Sequence, residues 1–307
     1  MKPFFSVIIP TYNQCKFLKK ALLSVKKQTF NNYEIIIIDN HSNDGTREYI
    51  KSLKKKVIYK KIKNKGVIAK SRNLGLRFAK GSWISFLDSD DIWHKDKLKK
   101  TFDKIKKNNF DIICNDEWIK NLTSNSKKIW TYGPFKKKFY KSLLLYGNRN
   151  STSATTVKKN FLSKNKILFN ENKNFITAED YEFFLKIAFC GGIFYYLNIP
   201  LGVHVFHSKS ESAQFERLYE AQIKVLKHHI FNVQKFENKT KLWKKVESIN
   251  KIKLNIFYFR KFTKLPNLFL LILLVLKNPI SSLNLFKILF EKFIKQYILK
   301  MKFHLNF

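Results

Sequence analysis

Three carboxylates crowd into four residues at Asp88-Ser89-Asp90-Asp91, and two more stand side by side at Glu179-Asp180. Acids this close repel one another, which costs stability unless a cation, a metal or a helix N-terminus neutralises them. Hard oxygen donors suit Mn2+ or Mg2+, and an ion held there would in turn bind a diphosphate. A surface turn or a helix cap accounts for the D-x-D spacing just as well, so the surroundings have to decide. Glu179-Asp180 opens a helical pattern, where the helix dipole favours acids and capping alone explains them. Lys70 and Arg72 lie at the start of another helical pattern just past Gly66. Donors and the dipole there favour phosphate, with a solvated helix face as the plainer alternative.

The elements that must position these residues follow from periodicity. Phe5 to Ile9, Tyr33 to Ile38, Val57 to Lys61 and Trp83 to Leu87 are short apolar runs that read as buried strands. Between them, Lys16 to Gln28, Thr46 to Lys54 and Ala69 to Ala79 carry helical spacing. Strands apolar on both faces, alternating with helices, predict an α/β fold with an open, mostly parallel twisted sheet flanked by helices. Ligands in such sheets sit beyond the carboxyl ends of the strands. That rule gathers Pro10-Thr11-Tyr12-Asn13, Asp39 to Asp44 and Asp88 to Asp91 around one crevice. Further on, Leu98 to Lys107, Ala178 to Phe189 and Glu211 to Phe231 read as helices; Asp111 to Asn115, Ser151 to Val157, Ile193 to Leu197 and Gly202 to Phe206 read as strands. Trp118 to Pro134 reads as a polar loop or hairpin.

The ordered motifs Phe5-Ser-Val-Ile-Ile-Pro-Thr-Tyr-Asn13, Gln28-Thr-Phe, Tyr33-Glu-Ile-Ile-Ile-Ile-Asp-Asn40, Ser42-Asn-Asp-Gly-Thr46, Gly66-Val-Ile-Ala-Lys-Ser-Arg-Asn73 and Gly81-Ser-Trp-Ile-Ser-Phe-Leu-Asp-Ser-Asp-Asp91 resemble the inverting family 2 glycosyltransferases of GT-A fold. The similarity is strongest over residues 4 to about 100 and extends weakly to about 215. It implies an enzyme moving a sugar from a nucleotide-diphosphate donor to an acceptor hydroxyl. Thr11 and Tyr12 would flank the base, within a donor-binding set of Pro10, Thr11, Tyr12, Asn13, Asp39, Lys70, Arg72, Asp88, Ser89 and Asp90. Asp39 would accept from the base edge, where Asn40 replaces a frequent second Asp. Arg72 would hold the diphosphate, Asp88 would touch the ribose or a metal-bound water, and Asp90 would coordinate the metal. The resemblance makes Asp180 the general base and Glu179 its neighbour at the acceptor. Leu201 to Ser210 resembles a stretch that ends in Tyr-Arg-x-His-x-x-Ser in many relatives. His207 would then complete the metal site, while His204 and Val205 stand in place of the Tyr and Arg, removing one phosphate contact.

Composition bounds the partners. The chain has 307 residues and a net charge of +38, with 45% hydrophobic residues, enough for a core despite the charge. Only six of the 60 cations are Arg, and Lys, Asn, Ile and Phe, the residues of A/T-rich codons, abound. Much of the charge is therefore background. Lys is spread through every segment without a nucleic-acid reader motif, so no nucleic-acid partner is expected. A nucleotidyltransferase would also use paired acids, but no Gly-rich basic loop follows the first strand. Cys15, Cys114 and Cys190 lack disulfide or zinc spacing, and the first apolar run is too short for a signal segment; both place the chain in the cytoplasm. Residues 1–231 are expected to form the catalytic domain and 232–307 a basic tail of amphipathic helices. From Phe231 to Phe307 sixteen Lys and Arg stand against three acids, among many Leu, Ile and Phe. Leu265 to Leu276 is too short to span a bilayer, and Leu283 to Leu299 repeats apolar residues at helical spacing. A tail of this kind would meet an anionic membrane from the cytoplasmic side, with a glycan or lipid-linked glycan of surface polysaccharide synthesis as acceptor. Packing on the catalytic domain or on a second subunit is the alternative.

Overall fold

Strand β1 (Phe5–Thr11) is buried along all seven residues, as its Phe, Val and Ile on both faces predict for a central strand. The computed structural model describes residues 2–53, 57–207 and 214–263. In it β1 pairs in parallel with β2 (Tyr33–Asp39) and β4 (Trp83–Phe86), and β2 pairs in parallel with β3 (Ile58–Lys61). The crossovers are α1 (Cys15–Lys26), α2 (Thr46–Ser52) and α3 (Ile68–Phe78). Helix α1 buries Leu18, Ala21, Leu22 and Val25, the apolar face that its spacing predicts. Each fully buried aliphatic side chain of this core stabilises the fold by roughly 1.5–3 kcal/mol. Gly81 lies against β1 so closely that a Cβ there would come within 2.6 Å of the Ser6 backbone nitrogen.

Beyond β4 the chain adds β5 (Ile92–Trp93), α4 (Lys97–Lys107), β6 (Ile112–Asn121), β7 (Ser126–Trp130), α5 (Phe139–Tyr146), β8 (Thr155–Lys158), α6 (Lys159–Lys164), α7 (Glu179–Phe189), β9 (Phe194–Phe206), α8 (Phe215–His228) and α9 (Lys239–Thr263). The sheet order is β3-β2-β1-β4-β8-β6-β9-β5, with β7 on β6. The fold class is the expected one, and the first four strands are parallel. Past them the sheet is mixed: β8 is antiparallel to both β4 and β6, β6 is parallel to β9, and β5 is antiparallel to β9. A strand buried on both faces has the same composition in either direction, so the reversal leaves no mark on the pattern. The two strands expected at Ile193 to Leu197 and Gly202 to Phe206 are one strand. Pro200 sits where the register with β6 shifts, so its missing N–H is absorbed by an irregularity and does not end the strand. Helices α5 and α6 and the two-residue β5 were not foreseen.

The described residues fall into two compact units, 1–137 with 149–225, and 138–148 with those from 226 on. In the second, the Tyr140 hydroxyl lies 3.0 Å from His229 Nδ1, Lys253 Nζ donates to the Tyr146 carbonyl at 3.1 Å, and Glu237 is paired with Lys141 and Lys245. No helix among the described residues is long and apolar enough to cross a membrane. The expected tail helices at 265–276 and 283–299, and the stretch Ser208 to Ser210, lie outside the described residues.

Candidate active site

The parallel register places Thr11 opposite Asp39, so the loops after β1 and β2 emerge together. They are stitched by Asn13, whose N–H donates to Ser42 Oγ at 2.9 Å and whose Oδ1 accepts from Asn43 N–H at 2.9 Å. Asn13 takes a left-handed φ of 48°, a conformation Asn tolerates well. Pro10 lies within the buried run of β1, which ends at Thr11, and Tyr12 is exposed. Thr11 is buried with its Oγ1 unpartnered. Asp39 is fully buried and already accepts from the Ser42 N–H and O–H at 2.9 and 2.6 Å and from the Tyr59 hydroxyl at 2.5 Å. It therefore shapes the loop from within, and Tyr12 and Asn13 are the groups presented outward.

The loop Asp88 to Asp91 follows β4 and is anchored on several sides. Asp88 N–H donates to Ser153 Oγ at 3.0 Å, and Ser89 Oγ bonds Gln14 Oε1 at the start of α1. Asp90 Oδ2 lies 3.2 Å from His207 Nε2, and the His207 ring stacks on Phe17 of α1 with centroids 4.9 Å apart. Asp91 is buried, 3.2 Å from His204 Nδ1, and accepts from Val205 N–H at 2.9 Å. Asp91 keeps His204 charged, its pKa pushed up to about 10 by that carboxylate against the opposing effect of burial. The Asp90 carboxyl is pushed up to about 7 by burial first and then by Asp91 and Asp88, a crowding that a bound cation would relieve.

Arg72 departs from its expected place. It is 3% exposed and its guanidinium joins two carboxylates: Nη2 to Asp88 Oδ1 at 2.8 Å and Nη1 to Glu179 Oε1 at 2.6 Å. Phe169 lies under it, the guanidinium carbon 5.3 Å from the ring centroid. Burial leaves Arg72 no free fork for a diphosphate; it is a strut between two acidic motifs. Lys70, two residues earlier on α3, is half-buried. Asp88, expected to join the metal pair, has one carboxylate oxygen on Arg72. Among the described residues no group of three or more His, Cys, Asp or Glu is gathered as a metal site. Asp90 and His207 fit a divalent ion as two protein donors, a carboxylate and an imidazole, with its other positions open to phosphate oxygens and water.

Glu179 and Asp180 start α7, reached through Thr177, a β-branched residue at φ +76°. Such a residue in the left-handed region is strained by about 1–3 kcal/mol, and strain of this kind clusters at functional sites. Glu179 is buried against Arg72. Asp180 is partly accessible and accepts from Tyr181 N–H at 2.6 Å. Its carboxyl is pushed up to about 7 by burial and by Glu179, with Arg72 pulling the other way. A carboxylate with that affinity for protons suits a general base at neutral pH. Gln14, Phe17, Ser153, Phe169 and Thr177 escaped the sequence reading. Phe17 alone had a signal, a place on the inward face of α1.

The family model "Glycosyl transferase family 2" matches residues 6–167. The chain belongs to the family 2 glycosyltransferases. It is 32% identical over 206 residues to the poly(ribitol-phosphate) beta-N-acetylglucosaminyltransferase TarP of Staphylococcus aureus, covering 59% of this chain and 62% of that one. It is 33% identical over 187 residues to an uncharacterized glycosyltransferase of Haemophilus influenzae, covering 60% of this chain and 71% of the relative. The putative teichuronic acid biosynthesis glycosyltransferase TuaG of Bacillus subtilis is 41% identical over 104 residues, 32% of this chain and 40% of its own. The chain thus matches less than two thirds of the length of TarP and TuaG. Among solved structures, S. aureus TarS 1-349 in complex with UDP-GlcNAc shares the fold with a TM-score of 0.59 at 22% identity, covering 85% of this chain and 74% of that one.

Proposed function

We propose that this chain transfers a sugar from a nucleoside-diphosphate sugar to an acceptor hydroxyl with inversion, in the building of a surface polysaccharide. The observation that carries the reading is the Arg72 guanidinium, which holds Asp88 of the strand-end loop and Glu179 of α7 at one point, 2.8 and 2.6 Å away. A second acid of each motif then serves the same site: Asp90, two residues on, on the donor side and Asp180, the next residue, on the acceptor side. Asp180 takes the proton of the acceptor hydroxyl as that oxygen attacks the anomeric carbon from the face opposite the leaving group. Thr11, Tyr12 and Asn13 receive the nucleotide, with Asp39 and Ser89 fixing the loops around it, and Lys70 neutralises phosphate charge from α3. Asp90 and His207 would hold Mn2+ or Mg2+, which when bound supplies positive charge to the departing diphosphate. Residues 1–231 are the catalytic part and 232–307 a basic appendage.

The names of the relatives support an anionic polymer or its lipid-linked precursor as acceptor, since TarP is named for poly(ribitol-phosphate) and TuaG for teichuronic acid. The basic tail would keep the enzyme at the cytoplasmic face of the membrane where such acceptors are assembled. A panel of nucleotide sugars tests the reading, with UDP-GlcNAc first because TarS has been solved with it. One donor should raise the melting temperature in the presence of Mn2+ and release free nucleoside diphosphate on slow hydrolysis. Asp180→Asn should keep that thermal shift and lose transfer. A wild-type protein that neither shifts nor hydrolyses any sugar nucleotide, or an Asp180→Asn variant with full transfer, would refute it.

A further inference from the structure

We propose that Asp91 and His204 are positioning residues that set the separation of Asp90 and His207, and so the affinity of the site for its divalent ion. The inference rests on the metal assignment above. Its geometry is a run of contacts between residues 90–93 and the end of β9. Trp93 pairs with Gly202 and Ile92 with Val203 through the backbone ladder of β5 and β9. At the next rung the backbone pairing ends and the Asp91 side chain takes over. Its Oδ1 accepts the Val205 N–H at 2.9 Å, as a backbone carbonyl would, and its Oδ2 lies 3.2 Å from His204 Nδ1. Beyond it, two residues past the position that the ladder register would give, Asp90 meets His207 at 3.2 Å. The Asp91 side chain is 1% exposed and its partner His204 30%, whereas Asp90 and His207 are 18% and 11% exposed, so the Asp91 carboxylate is the member of the set closed to solvent.

One consequence separates this role from bulk stabilisation. Asp90 belongs to a loop and His207 to the residue just past a strand, two places where the backbone alone holds position loosely. Asp91 grips two successive residues of β9 at once, so neither loop nor strand end can slide by a residue without breaking both contacts. The groups facing His204 are Asp91 and, within electrostatic reach, Asp90 and the fully buried Glu117 of β6. Removing the imidazole therefore leaves Asp91 held to the strand by the Val205 N–H alone, next to another buried acid.

The test measures Mn2+ binding by the paramagnetic signal of the free ion, with UDP present, on the whole chain at a temperature where circular dichroism shows each variant folded. His204→Phe keeps bulk without a donor; His204→Asn keeps a donor near Nδ1. His204→Phe should weaken Mn2+ binding about 10- to 100-fold, the usual effect of losing a group that orients a metal ligand, and His204→Asn should recover most of it. Asp91→Asn, with a smaller change in shape, should also weaken binding and raise the donor KM more than it lowers kcat. Wild-type affinity in folded His204→Phe and Asp91→Asn, or equal losses in the Phe and Asn variants at His204, would overturn the positioning role. Asp90→Ala is the control for the metal assignment: should it bind Mn2+ as the wild type does, the assignment falls and the positioning role with it.

Discussion

Asp180 combines partial exposure with a carboxyl whose pKa is pushed up to about 7 by burial and by Glu179. A base works only when ionised, so kcat/KM is expected to fall about tenfold per pH unit below 7 and to level off above it. A pH profile of transfer measures the limb directly; an apparent pKa near 4 would remove Asp180 from the role. The same shift has a stability consequence of opposite sense. The folded-state pKa lies above the unfolded value, so the fold prefers the neutral carboxyl, and stability from this group is lost as pH rises from about 4 to about 7. Asp180→Asn mimics the neutral form. It should therefore be more stable than the wild type at pH 8, by about 1 kcal/mol after allowance for partial exposure, and equal to it below pH 4.

At the scale of elements, α3 does more than cover the sheet. It carries Arg72 to the join between the β4 loop and α7, and the guanidinium there is buried with a carboxylate on each side. Taking away one member of a buried ionic group leaves the others unpaired, which costs about 3–5 kcal/mol. Arg72→Met is expected to lower stability to urea by that order, and Arg72→Lys to recover little, since one ammonium cannot replace a two-sided fork. Lys70→Met, on the same helix, should leave stability within about 0.5 kcal/mol and act on donor KM. Equal stability of Arg72→Met and wild type would return Arg72 to the phosphate role that its position in the motif suggested. The motif singled out Arg72 among the cations. What it could not show was a partner at Glu179, 107 residues away, because pairing over that separation depends on how α7 returns to the sheet.

For the whole molecule, the +38 charge is unevenly informative. Within the sheet unit the decisive cation, Arg72, is buried and neutralised by acids, while most lysines are solvated. The stretch from 231 on, with sixteen Lys and Arg against three acids, is where charge and apolar residues coincide. If it acts at a membrane surface, the full chain should co-sediment with phosphatidylglycerol vesicles at low salt, release at about 0.5 M NaCl, and ignore phosphatidylcholine. Binding to neutral vesicles as strong as to anionic ones would contradict an electrostatic attachment.

Local information, the order and type of residues within some ten positions, was enough to place β1 to β4, α1 to α3, the acidic turn and the family. Apolar period and strand-end chemistry act over that range. Strand direction beyond β4, the continuity of β9 through Pro200, the Asp91 contact with Val205 and the Arg72 strut required the folded chain. Each of these depends on residues far apart in sequence meeting at one point, and side-chain type does not encode which distant partner will satisfy a buried charge or an open backbone N–H.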